Sequence, residues 1–460
     1  MKTGTDIQPL NDFYARDLER FNFDKKELHA LLRQRSVKYG EFLLHGEMAP
    51  MILEKKELKR FQSDAELVLK ASELFSQEAL KNEKWLADCL PDPFMRELVK
   101  VDPGYDAFIP CARFDSFPCA RGPVMIELNT DGCSGMSNLD TFHSLYLDLI
   151  ASSPFFPKGH FTTEQILPHL LDTLLKCYAS FRKRFPKKSE AWPVKPTIAI
   201  VDWQTEETSW EFYACQEFFR SKGLRAIVAD PRELKYDGDS VSVANQTVHL
   251  IYRRLLGEDW GKNRIALSVL TNAYKEHKVC VVGSPRSQIA FSKKLFAYLR
   301  NEDMLKKYTP GVRAAVERTV PWTVPLREGK VDYKGKEIDL LPFVLKNKDL
   351  FVLKPCVSKC GFGILQGCHT AENVWKNGVK AALGDDFIIQ EFIPLVTARF
   401  PVHGKVREEE KRYLHSGIYV FGGKFSGFFG RTCKDPLLTL RHGERMLAIL
   451  WKSHTKHSAD

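Results

Sequence analysis

Two short apolar runs, CARFD (111–115) and PVMIELN (123–129), carry polar residues two positions apart. On a strand, residues i and i+2 point to one face, so Arg113 goes with Asp115 and Glu127 with Asn129. Pro118 and Gly122 lie between them and suit a turn. A hairpin centred on Arg121 sets Asp115 opposite Glu127 and Arg113 opposite Asn129. That face then holds two carboxylates and an amide oxygen. Mg2+ takes oxygen ligands of this kind alongside nucleotide phosphates, and Arg113 would stand beside them as an anion clamp. The spacing by itself suits a solvent-facing hairpin with a cross-strand ion pair equally well.

Residues 197–256 alternate between strand and helix patterns. TIAIVDW reads as a buried strand, EETSWEFYACQEFFRSKG as a helix closed by Gly223, and LRAIVAD and TVHLIYRR as further strands. This is the pattern of a small parallel α/β layer. No GxGxxG follows the first strand, so a dinucleotide site is not indicated. Residues 1–100 read mostly helical, with Leu58, Phe61, Leu67, Leu69, Leu74 and Phe75 near helical spacing. Residues 138–152, 163–184, 262–278 and 287–301 read as helices, and 321–440 as β-rich. The 460 residues allow two to four domains at roughly 100–200 residues each. The expected organisation is a helical region at 1–104, a metal-binding part at 105–190, a parallel α/β subdomain at 191–300 and a nucleotide-binding and lid region at 301–460.

Composition excludes several classes. At 44% hydrophobic and 27% charged residues, the chain is not intrinsically disordered. No apolar run approaches the ~18 residues of a membrane helix, and the start has no apolar leader, so a cytoplasmic protein without a membrane partner is expected. Eleven cysteines, an odd number, suit reduced thiols; Cys356, Cys360, Cys368 and His369 lack a standard zinc spacing. The net charge of +10 is spread out. Its one cluster, Arg182 to Lys188, reads as a solvated linker, and no nucleic-acid fold signature accompanies it. The positive balance suits an anionic small molecule such as a nucleotide.

Three more pieces carry chemistry. FVLKP (351–355) delivers Lys354 on an apolar strand, and a loop with Lys359, Gly361 and Gly363 follows; glycine lets backbone approach phosphates and lysines neutralise them. GxxxxGK[ST] is absent, so this is not a P-loop. In IIQEFIP (388–394), Gln390 and Glu391 interrupt an apolar strand in the manner of an adenine-edge hinge. Arg431, after GKFSGFFG, could reach a phosphate or carboxylate.

In this order the pieces resemble the circularly permuted ATP-grasp family, in pattern the synthetase domain of glutathionylspermidine synthase. The resemblance rests on RFD…IELN, TEETSWEFY (205–213), SKKLFAYL (292–299), VLKP (352–355), IIQEFIPL (388–395) and GKFSGFFGR (423–431), and spans roughly residues 105–440. It implies an α/β (α+β) ATP-grasp fold, circularly permuted because the acidic element precedes the lysine strands. A pre-ATP-grasp-like parallel subdomain and an N-terminal helical layer would accompany it. The implied cofactors are ATP and Mg2+, with two ions. Asp115, Glu127 and Asn129 would bind the metal, and Lys294, Lys354 and Lys359 the phosphates. Gln390 and Glu391 would lie by the adenine. Arg113 would stabilise an acyl phosphate or oxyanion, and Glu206, Glu207, Arg254 and Arg431 would line the second-substrate region. The implied activity is ATP-dependent carbon–nitrogen ligation, joining a small-molecule carboxylate to an amine through an acyl phosphate. The alternative is a nucleotide-binding partner protein without turnover.

Overall fold

The structure, a computed structural model, describes residues 25–35, 37–39, 42–47, 49–119, 122–152, 159–185, 192–358, 361–401, 409–436 and 443–453. Arg121, Lys187, Lys188, Lys359 and Cys360 lie outside the described residues.

The two polar-paired runs form a hairpin of strands Cys111–Cys119 and Gly122–Asn129. Asp115 pairs with Glu127 and Arg113 with Asn129, as their spacing predicts. Beyond Asp115 the register slips: Ser116 pairs with Met125, which leaves Ile126 as one extra residue, a β-bulge. The bulge changes which side chains face inward. Met125 and Leu128, three positions apart, both join Phe114 in the core. Ile126, Glu127 and Asn129 line a cavity. The hairpin extends through strand Glu409–Phe421, paired with Cys111–Cys119, into strand Lys424–Cys433.

The buried face of this antiparallel sheet is covered by helix Lys55–Lys81, whose apolar stripe includes Phe61, Val68 and Phe75. The helix start is capped where Glu54 N–H donates to Glu57 Oε2 at 2.8 Å. Phe61 meets Phe428 edge-on at 5.6 Å. Helices Met136–Ala151 and Ile166–Arg184 share a second core, in which Phe142, Tyr146, Leu170 and Leu174 pack with Phe421 of the antiparallel sheet and Ile198 and Ile200 of the parallel one.

The alternating segment forms the parallel sheet its pattern predicts, in the order Cys280–Val282, Leu250–Arg253, Thr197–Val201, Arg225–Ala229. Ile198 and Ile200 enter one core, Ala199 and Val201 another with Trp260. Burial on both faces explains the unbroken apolar run of the first strand. A separate antiparallel sheet contains Thr323–Pro325, Phe387–Glu391, Phe351–Pro355 and Leu365–Gln366. Its period-2 alternation sends Phe351, Leu353 and Ile389 onto Trp375 and Val344. Val352, Lys354 and Gln390 face the cavity.

Three local expectations differ. The helical first hundred residues also supply strand Met51–Leu53, which pairs with Ile449–Lys452 near the other end of the chain. The 262–278 stretch is two helices, Gly257–Lys262 and Ser268–Lys275; the Asn263 amide donates to Asp259 O at 3.1 Å where the first one ends. Residues 287–301 form a 3-10 segment, Pro285–Ala290, and a short helix, Leu295–Leu299. Between them Lys293 N–H donates to Cys356 O at 2.9 Å, a tertiary bond that an unbroken helix would not permit. No helix among the described residues is long and apolar enough to cross a membrane.

Candidate active site

The cavity, of about 350 Å³, lies where the antiparallel sheet, the parallel sheet and the Lys354-bearing sheet meet. Its lining includes Arg113, Asp115, Glu127, Asn129, Lys354 and Gln390. The hairpin and the lysine strand are over 200 residues apart in sequence yet directly bonded: Lys354 Nζ donates to Ile126 O at 3.3 Å. This carbonyl belongs to the bulge residue, which has no partner across the hairpin.

Lys354 also donates to Gln390 Oε1 at 2.7 Å, and Gln390 Nε2 donates to Thr323 Oγ1 at 3.0 Å. The second bond fixes which end of the amide faces the lysine. Burial pushes the Lys354 ammonium down to about 8. Glu127 forms an ion pair of 3.0 Å with Lys293. Burial would raise the Asp115 carboxyl, but the Arg113 and Arg431 guanidinium groups outweigh it and hold it well below the usual carboxylate range. Arg113 Nε donates to Asp115 Oδ1 at 2.8 Å, and Arg431 Nη2 lies 3.5 Å from Asp115 Oδ2.

Both arginines lie over the Phe429 ring, at 4.8 and 4.5 Å from its centroid. The stack needs Gly417 beneath it. A Cβ there would come within 2.7 Å of Phe429 Cβ and 3.2 Å of Arg113 Cδ. Arg431 also donates to a ring nitrogen of His415 at 3.0 Å. A ring that accepts from a guanidinium is uncharged, in keeping with burial and Arg431 holding His415 well below the usual histidine range.

The expected site residues divide as follows. Arg113, Asp115, Glu127, Asn129, Lys354, Gln390, Glu391, Glu206, Glu207, Arg254 and Arg431 all line the one cavity. Glu391 pairs with Lys334. Arg254 is buried and pairs with Glu211 at 3.1 Å, so it braces the wall more than it offers a free cation. Lys294 is turned away from this cavity. Its ammonium pairs with Asp88 at 2.9 Å and with Asp386, beside a separate hollow. The bend at 291–295 sends the two adjacent lysines opposite ways, and Lys293 is the one that reaches Glu127. Lys359 lies outside the described residues.

Sequence reasoning also passed over Asp202, Glu211 and His415. His415 had a findable signal: it pairs with Arg431 across the strand register. The donor set fits a magnesium ion held by one or two carboxylates and nucleotide oxygens. Asp115 and Glu127 are cross-strand partners, and the Asn129 amide nitrogen is buried with no partner among the described residues. Among those residues no group of three or more His, Cys, Asp or Glu side chains is placed to hold a metal, so the set depends on the asparagine.

No family model matches this chain, and no curated protein matches it. Among solved structures it is similar to a glutathione synthetase-like effector from Globodera pallida in its apo form. The TM-score is 0.56 at 11% identity, covering 94% of this chain and 96% of that one. D-alanyl-alanine synthetase A from Vibrio cholerae matches with a TM-score of 0.29 at 9% identity, over 56% of this chain and 88% of that one, too low to carry an argument. The likeness to the first is one of fold, an ATP-grasp-like mixture of sheets and helices.

Proposed function

We propose that this protein is an ATP- and Mg2+-dependent carboxylate–amine ligase, like glutathionylspermidine synthase in its chemistry, on a circularly permuted ATP-grasp fold. The observation that carries this reading is the meeting of Lys354, Glu127, Asp115 and Asn129 in one cavity, with Lys293 paired to Glu127 at 3.0 Å, although they come from three distant stretches of chain.

In this reading Asp115, Glu127 and Asn129 hold magnesium, which when bound supplies positive charge against the transferring phosphoryl group. Lys354 and Lys293 grip nucleotide phosphates, with Lys293 in the place expected for Lys294. Gln390 and Glu391 lie on the strand that would flank adenine. A substrate carboxylate attacks the γ-phosphate, giving an acyl phosphate and ADP; an amine then displaces phosphate and forms the amide. Arg113, fixed by Asp115 and by Ser134 O at 3.0 Å, is oriented for the oxyanion. Positioning and charge suffice, so no nucleophilic side chain is required.

A second reading, a nucleotide-binding partner protein without turnover, draws on one observation. Asp115 and Glu127 each already carry a basic partner. The test is thermal stabilisation by ATP with Mg2+, followed by ADP release across panels of carboxylates and amines. The ligase reading expects metal-dependent stabilisation and ADP release with at least one pair. Stabilisation with no ADP release across the panels would favour the second reading, and no stabilisation at all would remove both.

A further inference from the structure

In an open parallel sheet, ligands lie beyond the carboxyl ends of the strands, at the point where the strand order reverses. Here Thr197–Val201 is flanked on one side by the next strand in the chain, Arg225–Ala229, and on the other by the later strand Leu250–Arg253. The crevice therefore opens between the carboxyl ends of Thr197–Val201 and Leu250–Arg253. Asp202 and Arg254 lie just past those ends, and both line the cavity.

Arg254 is already engaged, with Glu211, Tyr252 Oη and Cys133 O. Asp202 is not. It is only 8% exposed, yet among the described residues its carboxylate accepts a single hydrogen bond, from Trp203 N–H at 2.8 Å. Burial, helped by the charges of Glu206 and Asp259, pushes the Asp202 carboxyl up to about 7 against the pull of the Arg254 guanidinium and the Trp203 N–H. The other buried carboxylates nearby have counter-ions: Glu211 pairs with Arg254, and Asp131 with Arg253. Glu206, Glu207 and the half-exposed Trp210 stand on the same side of the cavity. One loop separates this crevice from the expected reaction centre. Arg113 bonds Ser134 O on one side of the loop, and Arg254 bonds Cys133 O on the other.

We propose that Asp202 receives the amino group of the acceptor and takes the proton that its nitrogen must lose before attack. The assignment rests on the ligase reading above and adds to it a residue for the amine. An ammonium nitrogen has no free electron pair. Its proton passes to the Asp202 carboxylate, leaving a neutral amine and a carboxylic acid. The nitrogen pair then forms the C–N bond, the bond from the acyl carbon to the phosphate oxygen breaks, and the departing phosphate takes the second nitrogen proton.

The first test is binding of propylammonium chloride to the full chain, followed by NMR, with 1-propanol as its uncharged counterpart. The wild type should bind the ammonium in preference to the alcohol, and Asp202→Asn should weaken it about tenfold. Equal affinity in the variant, or no preference in the wild type, overturns the proposal. The second test uses a donor–acceptor pair that releases ADP, with hydroxylamine as an alternative acceptor that is already uncharged at neutral pH. Asp202→Asn should lose about 100-fold in amide formation while hydroxamate formation changes less than about threefold. Parallel loss of both, or loss of neither, overturns the proposal. Asp202→Ser serves as a second variant with the same expectations. A wild type that never releases ADP removes the ligase reading and this assignment together, whereas an active wild type with an unaffected Asp202→Asn removes only the assignment.

Discussion

The two walls of the cavity handle charge in opposite ways. On the antiparallel wall, Arg113, Asp115, His415 and Arg431 lie within one another's reach, and Asp115 has two guanidinium partners. On the parallel wall, Asp202 is as thoroughly buried but has no side-chain hydrogen bond or ion pair among the described residues, and only the more distant Arg254, itself paired with Glu211, acts against its burial. The first arrangement is stable because each charge compensates another. The second carries a burial cost that the chain's own side chains leave largely uncompensated, and the amine proposed above would offset it. Removing a carboxylate should therefore have opposite consequences on the two walls.

The largest effect should come from Asp115→Ala, which leaves Arg113 buried without its acid and Arg431 with Glu444 alone. A loss of about 4 kcal/mol is expected in denaturant unfolding. A change below about 1 kcal/mol would mean that the antiparallel wall is not held by charge pairing. Next, Glu127→Gln should cut turnover about 100-fold while ATP-dependent stabilisation falls far less, because charge at this position serves the transition state. Equal losses in both measurements would make Glu127 a binding group only.

Lys354→Ala should reduce ATP affinity about tenfold, read as a smaller thermal shift with ATP and Mg2+. The wild-type shift should itself decline as pH rises through about 8, where the buried ammonium loses its proton. Stability without ligand moves the other way. The folded pKa lies below the unfolded one, so the contribution from Lys354 is present above about 10.5 and is lost as pH falls through about 8. A shift that is flat across this range would remove Lys354 from the phosphate site.

The smallest effect is also of opposite sign. Asp202→Asn should stabilise the protein by about 1–2 kcal/mol at pH 8. The folded pKa of Asp202 is raised, so its contribution is present below about 4 and is lost as pH rises through about 7. The advantage of the variant should therefore shrink as pH is lowered from 8 towards 4. A variant less stable than wild type at pH 8 would show that Asp202 has a structural partner after all.

The same contrast accounts for what could be read from the sequence. Antiparallel strands present every second side chain along their length, so Arg113 with Asp115 and Glu127 with Asn129 were visible as pairs, and their register followed. Lys354 and Gln390 were visible for the same reason. A parallel sheet buried on both faces puts its polar chemistry only at strand ends, and which end matters depends on strand order. Asp202 closes the run TIAIVD without standing out from it. Lys293 was obscured by its neighbour. Adjacent lysines in a pattern read as helical differ only by the bend that Cys356 O imposes, and that contact is 63 residues away in sequence.

The unpaired Ile126 gives the hairpin one residue more than its pairing uses. Deleting it would set Met125 and Leu128 two positions apart, the spacing plain strand alternation requires, and Glu127 and Asn129 would keep Asp115 and Arg113 opposite them. What the deletion removes is the carbonyl that Lys354 Nζ meets at 3.3 Å, so the oxygens stay in place while the ammonium loses an anchor. A one-residue gap at Ile126 would therefore spare the acidic face of the hairpin and fall on the lysine that leans against it.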